Sequence, residues 1–152
     1  MKKQGVTPAH EIDFAICTSG RPDDLKTGTY VTIKDTEGMP MSYDSTTEEW
    51  YPMDQHGWRR AAVTGKALSI SFTGKRNYGD EGNDYVAGKF MAMGAEAESA
   101  IRIIFPNGDK FYMPCVLNVT SMGGETTALG SLEWEALSDG RPEYVEAYTE
   151  AE

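Results

Sequence analysis

Two carboxylates spaced two residues apart are the most evident candidates for chemistry in this sequence. Glu133 and Glu135 lie in the alternating run 129–137, and residues two apart in a strand share one face. Paired carboxylates are the working groups of glycoside hydrolases. Because no aromatic cleft flanks the pair in sequence, a solvated strand face explains it better, and a small hydrolase ranks last among the functions that we consider.

A second acidic group offers the carboxylate and amide oxygens that calcium prefers: Asp80, Glu81, Asn83 and Asp84. Its spacing does not match a helix–loop–helix calcium loop. Asp80 directly precedes a stretch with helical spacing, where an aspartate accepts hydrogen bonds from the free amides of the first turn. The acidic residues behind it would lie at the positive end of the helix dipole. The sequence therefore predicts a helix cap at Asp80 and no metal site.

Motifs for nucleophilic or metal-assisted catalysis are missing from the sequence. His10 and His56 are its two histidines, and neither stands in metal-ligand spacing. There is no Gly-x-Ser-x-Gly, no His-Glu-x-x-His and no phosphate-binding loop, since Gly65-Lys66 lacks the upstream glycine and the following hydroxyl residue. We therefore expect no catalytic residue and no cofactor, and predict that the protein is not an enzyme.

An aromatic residue followed by two cations, Trp58-Arg59-Arg60, could stack on nucleic-acid bases. The whole chain, however, carries a formal net charge of −10, and nucleic-acid phosphates would repel it. An anchor for an acidic neighbouring subunit explains these three residues better.

The alternation of apolar and polar residues predicts a mainly β fold, an antiparallel β-sandwich or barrel with one packed α-helix. A chain of 152 residues fits a single domain. The Asn107-Gly108 pair between two apolar runs predicts a hairpin. The helix is expected to start at Asp80 and to bury one face: Val86, Phe90, Met93 and Ala97. The predicted strands are 29–33, 66–75, 101–105, 110–120 and 129–137.

Three stretches of the chain are expected to lie outside this regular structure. They are an N-terminal arm at about 1–28, a long irregular loop at about 34–62 and a C-terminal tail at about 139–152. The loop is rich in large apolar residues, among them Trp50, Tyr51 and Trp58. Such residues either fold back over the core or need a partner surface.

The cysteines and the N-terminal residues indicate the cellular compartment in which the chain is expected to be made. Cys17 lies in the predicted arm and Cys115 in a predicted strand with apolar neighbours, which is typical of a core cysteine. Nothing marks the chain as secreted, so a disulfide is not expected. We see no signal peptide and no membrane-spanning run, and expect a protein made in a cytosol or used in a particle assembled there.

Three stretches carry a resemblance to a known family: residues 50–60 (Trp50-Tyr51-Pro52-Met53-Asp54, then Gly57-Trp58-Arg59-Arg60), residues 64–72 (TGKALSISF) and residues 74–88 (GKRNYGDEGNDYVAG). Residues 105–108, 118–120 and 132–142 continue it. Together they resemble the major tail tube protein of long-tailed, siphovirus-type phages and prophages of Gram-positive bacteria. The likeness covers about residues 48–142, and the stretch 77–85 is its most specific part.

This resemblance implies a structural virion protein of the viral tail, with a β-sandwich or barrel fold that type VI secretion tubes share. Its subunits would form hexameric rings that stack into a hollow tube, assembled in the host cytoplasm, through which DNA passes without specific binding. The implied partners are copies of the chain itself, a tape measure protein and a tail terminator, with no membrane. The expected contacts between subunits are Trp50, Tyr51, Met53, Trp58, Arg59 and Arg60.

The acidic charge fits a tube that conducts DNA. Six subunits would carry 6 × −10 = −60 per ring, and a wall of this sign would not hold phosphates. We expect Glu133 and Glu135 to line the bore. The alternative is a monomeric carbohydrate-binding β-sandwich that uses Trp50, Tyr51 and Trp58 as a stacking platform.

Overall fold

The computed structural model describes residues 5–146 of the chain. In this range one sheet contains nine strands, and every strand pairing is antiparallel. The strands are β1 Asp13–Cys17, β2 Tyr30–Thr32, β3 Thr36–Gly38, β4 Met41–Trp50, β5 Arg60–Lys75, β6 Glu98–Ile104, β7 Lys110–Gly123, β8 Ser131–Ser138 and β9 Glu143–Val145. The helix α1 spans Glu81–Ala87. The mainly β, antiparallel fold with one helix that the sequence predicts is confirmed.

The sheet is curled into a barrel. Its strand order is β2-β1-β6-β7-β8-β5-β3, with β4 also pairing β5 and β9 pairing β7. The two ends of this order, β2 and β3, are joined only by residues 33–35, so the sheet must bend until its ends are neighbours. The rings of Phe14 on β1 and Phe72 on β5 accordingly lie 5.3 Å apart across the interior.

The interior of the barrel is filled by the apolar face of each strand. Phe72 stacks on Trp134 with 4.1 Å between ring centroids. In β5 and β8 the apolar residues therefore face this core, and the polar residues that alternate with them face outward. The buried members of the core are Ile16, Ile33, Leu68, Ile70, Phe72, Val86, Ala87, Ile101, Ile103, Met113, Cys115, Leu117, Leu132, Trp134 and Ala136.

Helix α1 covers the opening where β2 and β3 meet. It is shorter than predicted, because the chain turns away after Gly88, and Phe90 and Met93 are exposed rather than packed. Val86 is buried in the core, and Ala97 is buried in a separate 3₁₀ turn. Glycine is a poor helix former, and without packing beyond Ala87 nothing sustains further turns.

The predicted N-terminal arm contains a central strand of the sheet. β1 pairs with both β2 and β6, and Ala15, Ile16 and Cys17 are buried. The segment after it is fastened by Arg21, whose guanidinium donates to the Cys115 carbonyl at 2.7 Å. Scattered glycines and prolines mask this five-residue strand in the sequence. Residues 1–4 of the predicted arm lie outside the described residues.

The predicted loop at 34–62 is mostly strand. It holds β3, β4 and the first residues of β5. The prediction of an irregular loop is wrong. Because both faces of β4 are exposed, its sequence does not need to alternate apolar and polar residues, and this alternation is the signal that identifies a strand. The predicted tail at 139–152 likewise contributes β9, which pairs with β7 at Lys110–Tyr112; residues 147–152 lie outside the described range.

No helix within residues 5–146 is long and apolar enough to cross a membrane. Cys17 and Cys115 are both free thiols and both buried.

Candidate assembly surfaces

The most unusual feature of the fold is a two-stranded ribbon that leaves the barrel. β8 pairs with β5 only from Ser69 onward, whereas β4 pairs with β5 as far as Trp50 opposite Arg60. From Arg60 to Ser69 at about 3.3 Å per residue, the ribbon extends for roughly 30 Å. We define the ribbon as residues 44–50 of β4 with residues 60–67 of β5. An isolated two-stranded ribbon is only marginally stable, and its open edges can pair with another chain.

The end of the ribbon, which we call the ribbon tip (residues 50–60), is apolar and exposed. Met53 is 93% exposed and Trp58 is 76% exposed. His56 and Gly57 both have positive φ, at 53° and 96°, and turn the chain there. The structure therefore brings together the six residues predicted as subunit contacts: Trp50, Tyr51, Met53, Trp58, Arg59 and Arg60.

The two arginines of the ribbon tip have partners within the chain. Arg59 lies 3.4 Å from the Glu49 carboxylate in an exposed ion pair. The Arg60 guanidinium lies 5.6 Å from the centre of the Trp50 ring. These contacts hold the tip together and leave the outer faces of Tyr51, Met53 and Trp58 to solvent.

The outer face of the sheet is polar around Glu133 and Glu135. Glu133 is exposed and Glu135 is half-buried, and both lie on the face of β8 opposite the core. Their cross-strand neighbours on β5 are Thr73 and Ser71. These hydroxyl and carboxylate groups form a polar, negatively charged strip on the outside of the sheet.

The acidic group near α1 stabilises the start of the helix and joins it to neighbouring segments. Asp80 is the N-cap, and its carboxylate accepts hydrogen bonds from the backbone N–H groups of Asn83 at 3.0 Å and Lys34 at 3.1 Å. Asn83 is buried and uses its whole amide. Its Oδ1 accepts from Asn77 N and Arg76 Nη1, and its Nδ2 donates to the carbonyls of Lys34 and Lys75.

Close approach of the backbone explains one glycine of the same stretch. A Cβ atom at Gly82 would lie 2.5 Å from the Thr32 carbonyl oxygen, so only glycine lets α1 pack on β2 at this distance. The stretch 77–85, the most specific part of the resemblance, therefore closes the barrel. Among residues 5–146, no group of three or more His, Cys, Asp or Glu side chains is arranged to hold a metal ion.

Among the ionisable groups of residues 5–146, three phenols and one thiol have raised pKa values. Burial raises the pKa of Tyr30 and Tyr85, and a hydrogen bond to Asp109 raises the pKa of Tyr144. Burial also raises the pKa of the Cys115 thiol to about 12. All four groups are protonated at pH 7 and offer neither a base nor a nucleophile. The exposed His10 and His56 lie in separate turns, before β1 and in the ribbon tip.

Sequence reasoning did not single out three further exposed apolar residues, Tyr78, Met122 and Leu129. A usable signal was present, because Tyr78 and Leu129 each directly precede a glycine in a short turn. A large apolar residue beside a turn glycine has little chance to reach the core.

Comparison with known proteins finds similarity of structure but not of sequence. No protein-family model matches the chain, and no curated protein matches its sequence. The tail of an empty gene transfer agent particle, obtained by helical refinement in C6 symmetry, contains a chain with a TM-score of 0.67 and 19% identity. A chain in the virion of the native gene transfer agent particle has a TM-score of 0.66 and 19% identity. Each match covers 92% of this chain and 99% of the other.

Proposed function

We propose that this chain is a structural subunit of a phage-like tail, and that copies of it associate into the tube of that tail. The observation that carries the proposal is the ribbon, which projects from a well-packed barrel and ends in exposed Trp and Met side chains. The gene transfer agent tail supports it, because a chain of the same fold is repeated there with C6 symmetry.

The ribbon is more consistent with assembly than with a lone globule. Its two strands have no apolar face to bury within the chain, and its edges leave backbone groups open to another strand. Contact with a second copy would remove the apolar tip from water and contribute about 25 cal/mol for each Å² buried. Stacked hexameric rings are the arrangement that we propose, with the siphovirus-type tail of a Gram-positive phage or prophage as the particle. A tape measure protein and a tail terminator are further proposed partners.

The polar outer face is the proposed wall of the bore. Glu133 and Glu135 contribute a charge of −2 for each subunit, or 6 × −2 = −12 for a ring of six. A bore of this sign repels DNA phosphates and lets DNA slide. In particles that carry Glu133→Lys together with Glu135→Lys, we expect delivery of DNA to slow or stop. Delivery of DNA at the wild-type rate would show that Glu133 and Glu135 do not line the bore.

Sedimentation velocity over a range of concentrations tests the assembly proposal. The wild-type chain is expected to shift to large species as concentration rises. Met53→Ser is expected to shift far less, since it removes the most exposed apolar side chain of the tip. Met91→Ser is the matched control, because Met91 is also exposed but lies outside the ribbon, and it should behave as wild type. A wild-type chain that stays monomeric throughout, or equal losses in both variants, would count against the proposal.

The carbohydrate-binding alternative uses the same aromatic residues and makes the opposite prediction. It requires a stable monomer whose tryptophan fluorescence changes when saccharide is added. The Arg60 guanidinium over the Trp50 ring already occupies one candidate stacking surface, so we favour assembly.

A further inference from the structure

A second apolar cluster lies outside the barrel core, on the outer face of β1, β6 and β7. Its buried members are Cys17, Leu25, Ala100 and Tyr112. Ala100 and Tyr112 directly precede Ile101 and Met113, which belong to the barrel core, and neighbouring residues of a strand point to opposite faces. The barrel therefore supplies only the floor of this second cluster, and other segments must cover it.

The first covering segment is the connection between β1 and β2, which we call the strap (residues 18–29). Among these residues, all of which the structure describes, only Leu25 is buried. The Ser19 hydroxyl lies 3.2 Å from the Cys17 sulfur, and a Cβ atom at Gly28 would lie 2.6 Å from the same sulfur. The strap therefore shields the Cys17 thiol from water.

The second covering segment, which we call the terminal segment (residues 139–145), contains β9. Its Val145 packs against the cluster, and of its described residues none is buried. β9 pairs with β7 at Lys110–Tyr112, whereas β8 pairs with β7 only from Cys115 onward. Without the terminal segment this edge of β7 would be unpaired, and an unpaired edge can pair with another chain.

Two ion pairs join the strap to the terminal segment. Arg21 lies 2.9 Å from the Asp139 carboxylate, and Lys26 lies 3.6 Å from the Glu143 carboxylate. About half of each acidic side chain is exposed, 49% for Asp139 and 45% for Glu143. Ion pairs this exposed are weak, and dissolved salt screens them. Because the two segments bury a single residue between them, they are held less firmly than the barrel.

We propose that the strap and the terminal segment form a latch that opens as one unit while the barrel stays folded. In the closed form, the Tyr144 hydroxyl donates a hydrogen bond to the Asp109 carboxylate and the two ion pairs hold the segments together. In the open form, the second cluster, the Cys17 thiol and the β7 edge at Lys110–Tyr112 are accessible. Salt favours the open form because it screens the ion pairs. This inference goes beyond the proposed function and does not depend on it.

The two cysteines report on the latch and on the barrel separately. Alkylation by iodoacetamide, at a concentration of protein that keeps the chain monomeric, is followed by mass spectrometry of the two cysteine peptides. Cys17 lies beneath the strap and Cys115 in the barrel core, so we expect Cys17 to react about tenfold faster. Added salt should speed the reaction of Cys17. Equal rates for the two thiols would show that the latch opens only when the whole chain unfolds.

A variant that lacks both ion pairs tests what holds the latch closed. Asp139→Asn with Glu143→Gln removes the two carboxylates and changes the side-chain volumes little. Because two exposed ion pairs are lost, we expect Cys17 to react about fivefold faster than in wild type. Hydrogen exchange of the backbone amides that pair β9 with β7 should accelerate by a similar factor, while Cys115 keeps its wild-type rate.

Glu49→Gln is the matched control, since it removes the exposed ion pair with Arg59 on the ribbon and should change neither rate. An unchanged rate for Cys17 in the double variant would show that the ion pairs do not hold the latch. Faster reaction of Cys17 without faster exchange in β9 would show that the strap opens alone. Either result overturns the inference.

Discussion

The buried amide of Asn83 accepts a hydrogen bond from the guanidinium of Arg76, with 2.9 Å between Oδ1 and Nη1. Asn83 ties α1 to the strand ends at Lys34 and Lys75, and the same Arg76 supports the ring of Tyr78. Arg76 therefore joins the network that closes the barrel to the exposed ring of Tyr78.

Replacing Asn83 tests the importance of this closure. Asn83→Ala removes four hydrogen bonds and leaves buried backbone groups without their partner, each at about 1–3 kcal/mol before relaxation. We expect the free energy of unfolding to fall by about 3 kcal/mol in urea denaturation. Asn118→Ala, at an exposed position of β7, is the control and should change it by less than about 0.5 kcal/mol. Equal changes in the free energy of unfolding at both positions would show that the hydrogen bonds of Asn83 do not stabilise the fold.

Two tryptophans are expected to behave in opposite ways. Trp134 is buried and stacked on Phe72, so Trp134→Ala should destabilise the monomer by about 3–5 kcal/mol. Trp58 is exposed at the ribbon tip, and Trp58→Ala should leave monomer stability within about 0.5 kcal/mol of wild type while it impairs assembly. Urea denaturation at low concentration and sedimentation at high concentration measure the two effects. A large loss of monomer stability in Trp58→Ala would mean that the tip packs on its own chain.

The pH dependence of stability should report the burial of Cys115. Its pKa rises from 9.0 to about 12 in the folded chain, so above pH 9 the unfolded chain releases a proton that the folded chain keeps. Rising pH therefore favours unfolding between about pH 9 and 12, by up to about 1.4 kcal/mol per pH unit for this one group. Urea denaturation from pH 9 to 11 should show a shallower decline for Cys115→Ala than for wild type. Parallel declines would place the thiol in contact with water.

The sequence predicts those parts of the fold in which burial imposes a pattern. Leu68, Ile70 and Phe72 alternate with serine and threonine because one face of β5 meets the core. The ribbon has no such face, and its sequence therefore predicts an irregular loop instead of two strands. Solvent on both sides of a strand removes the signal on which such predictions rely.

Predictions from residue type and spacing are wrong where tertiary contacts determine the secondary structure. The spacing of Val86, Phe90 and Met93 is that of a helical face, but the last two side chains are exposed. β1 is only five residues long and is held by neighbours distant in sequence, β2 and β6. The hydrogen bond between Arg76 and Gly130 joins the segment after β5 to the segment before β8, and residue types and spacing do not indicate this contact.

Negative-stain electron microscopy of the purified chain at rising concentration tests self-association through the ribbon most directly. We expect rings or stacked hollow tubes for the wild-type chain and for Met91→Ser. We expect neither for the variant that combines Met53→Ser with Trp58→Ser. Separate globular particles of the wild-type chain at millimolar concentration would show that the chain does not self-associate, and tubes formed equally well without the tip would show that the ribbon is not the contact.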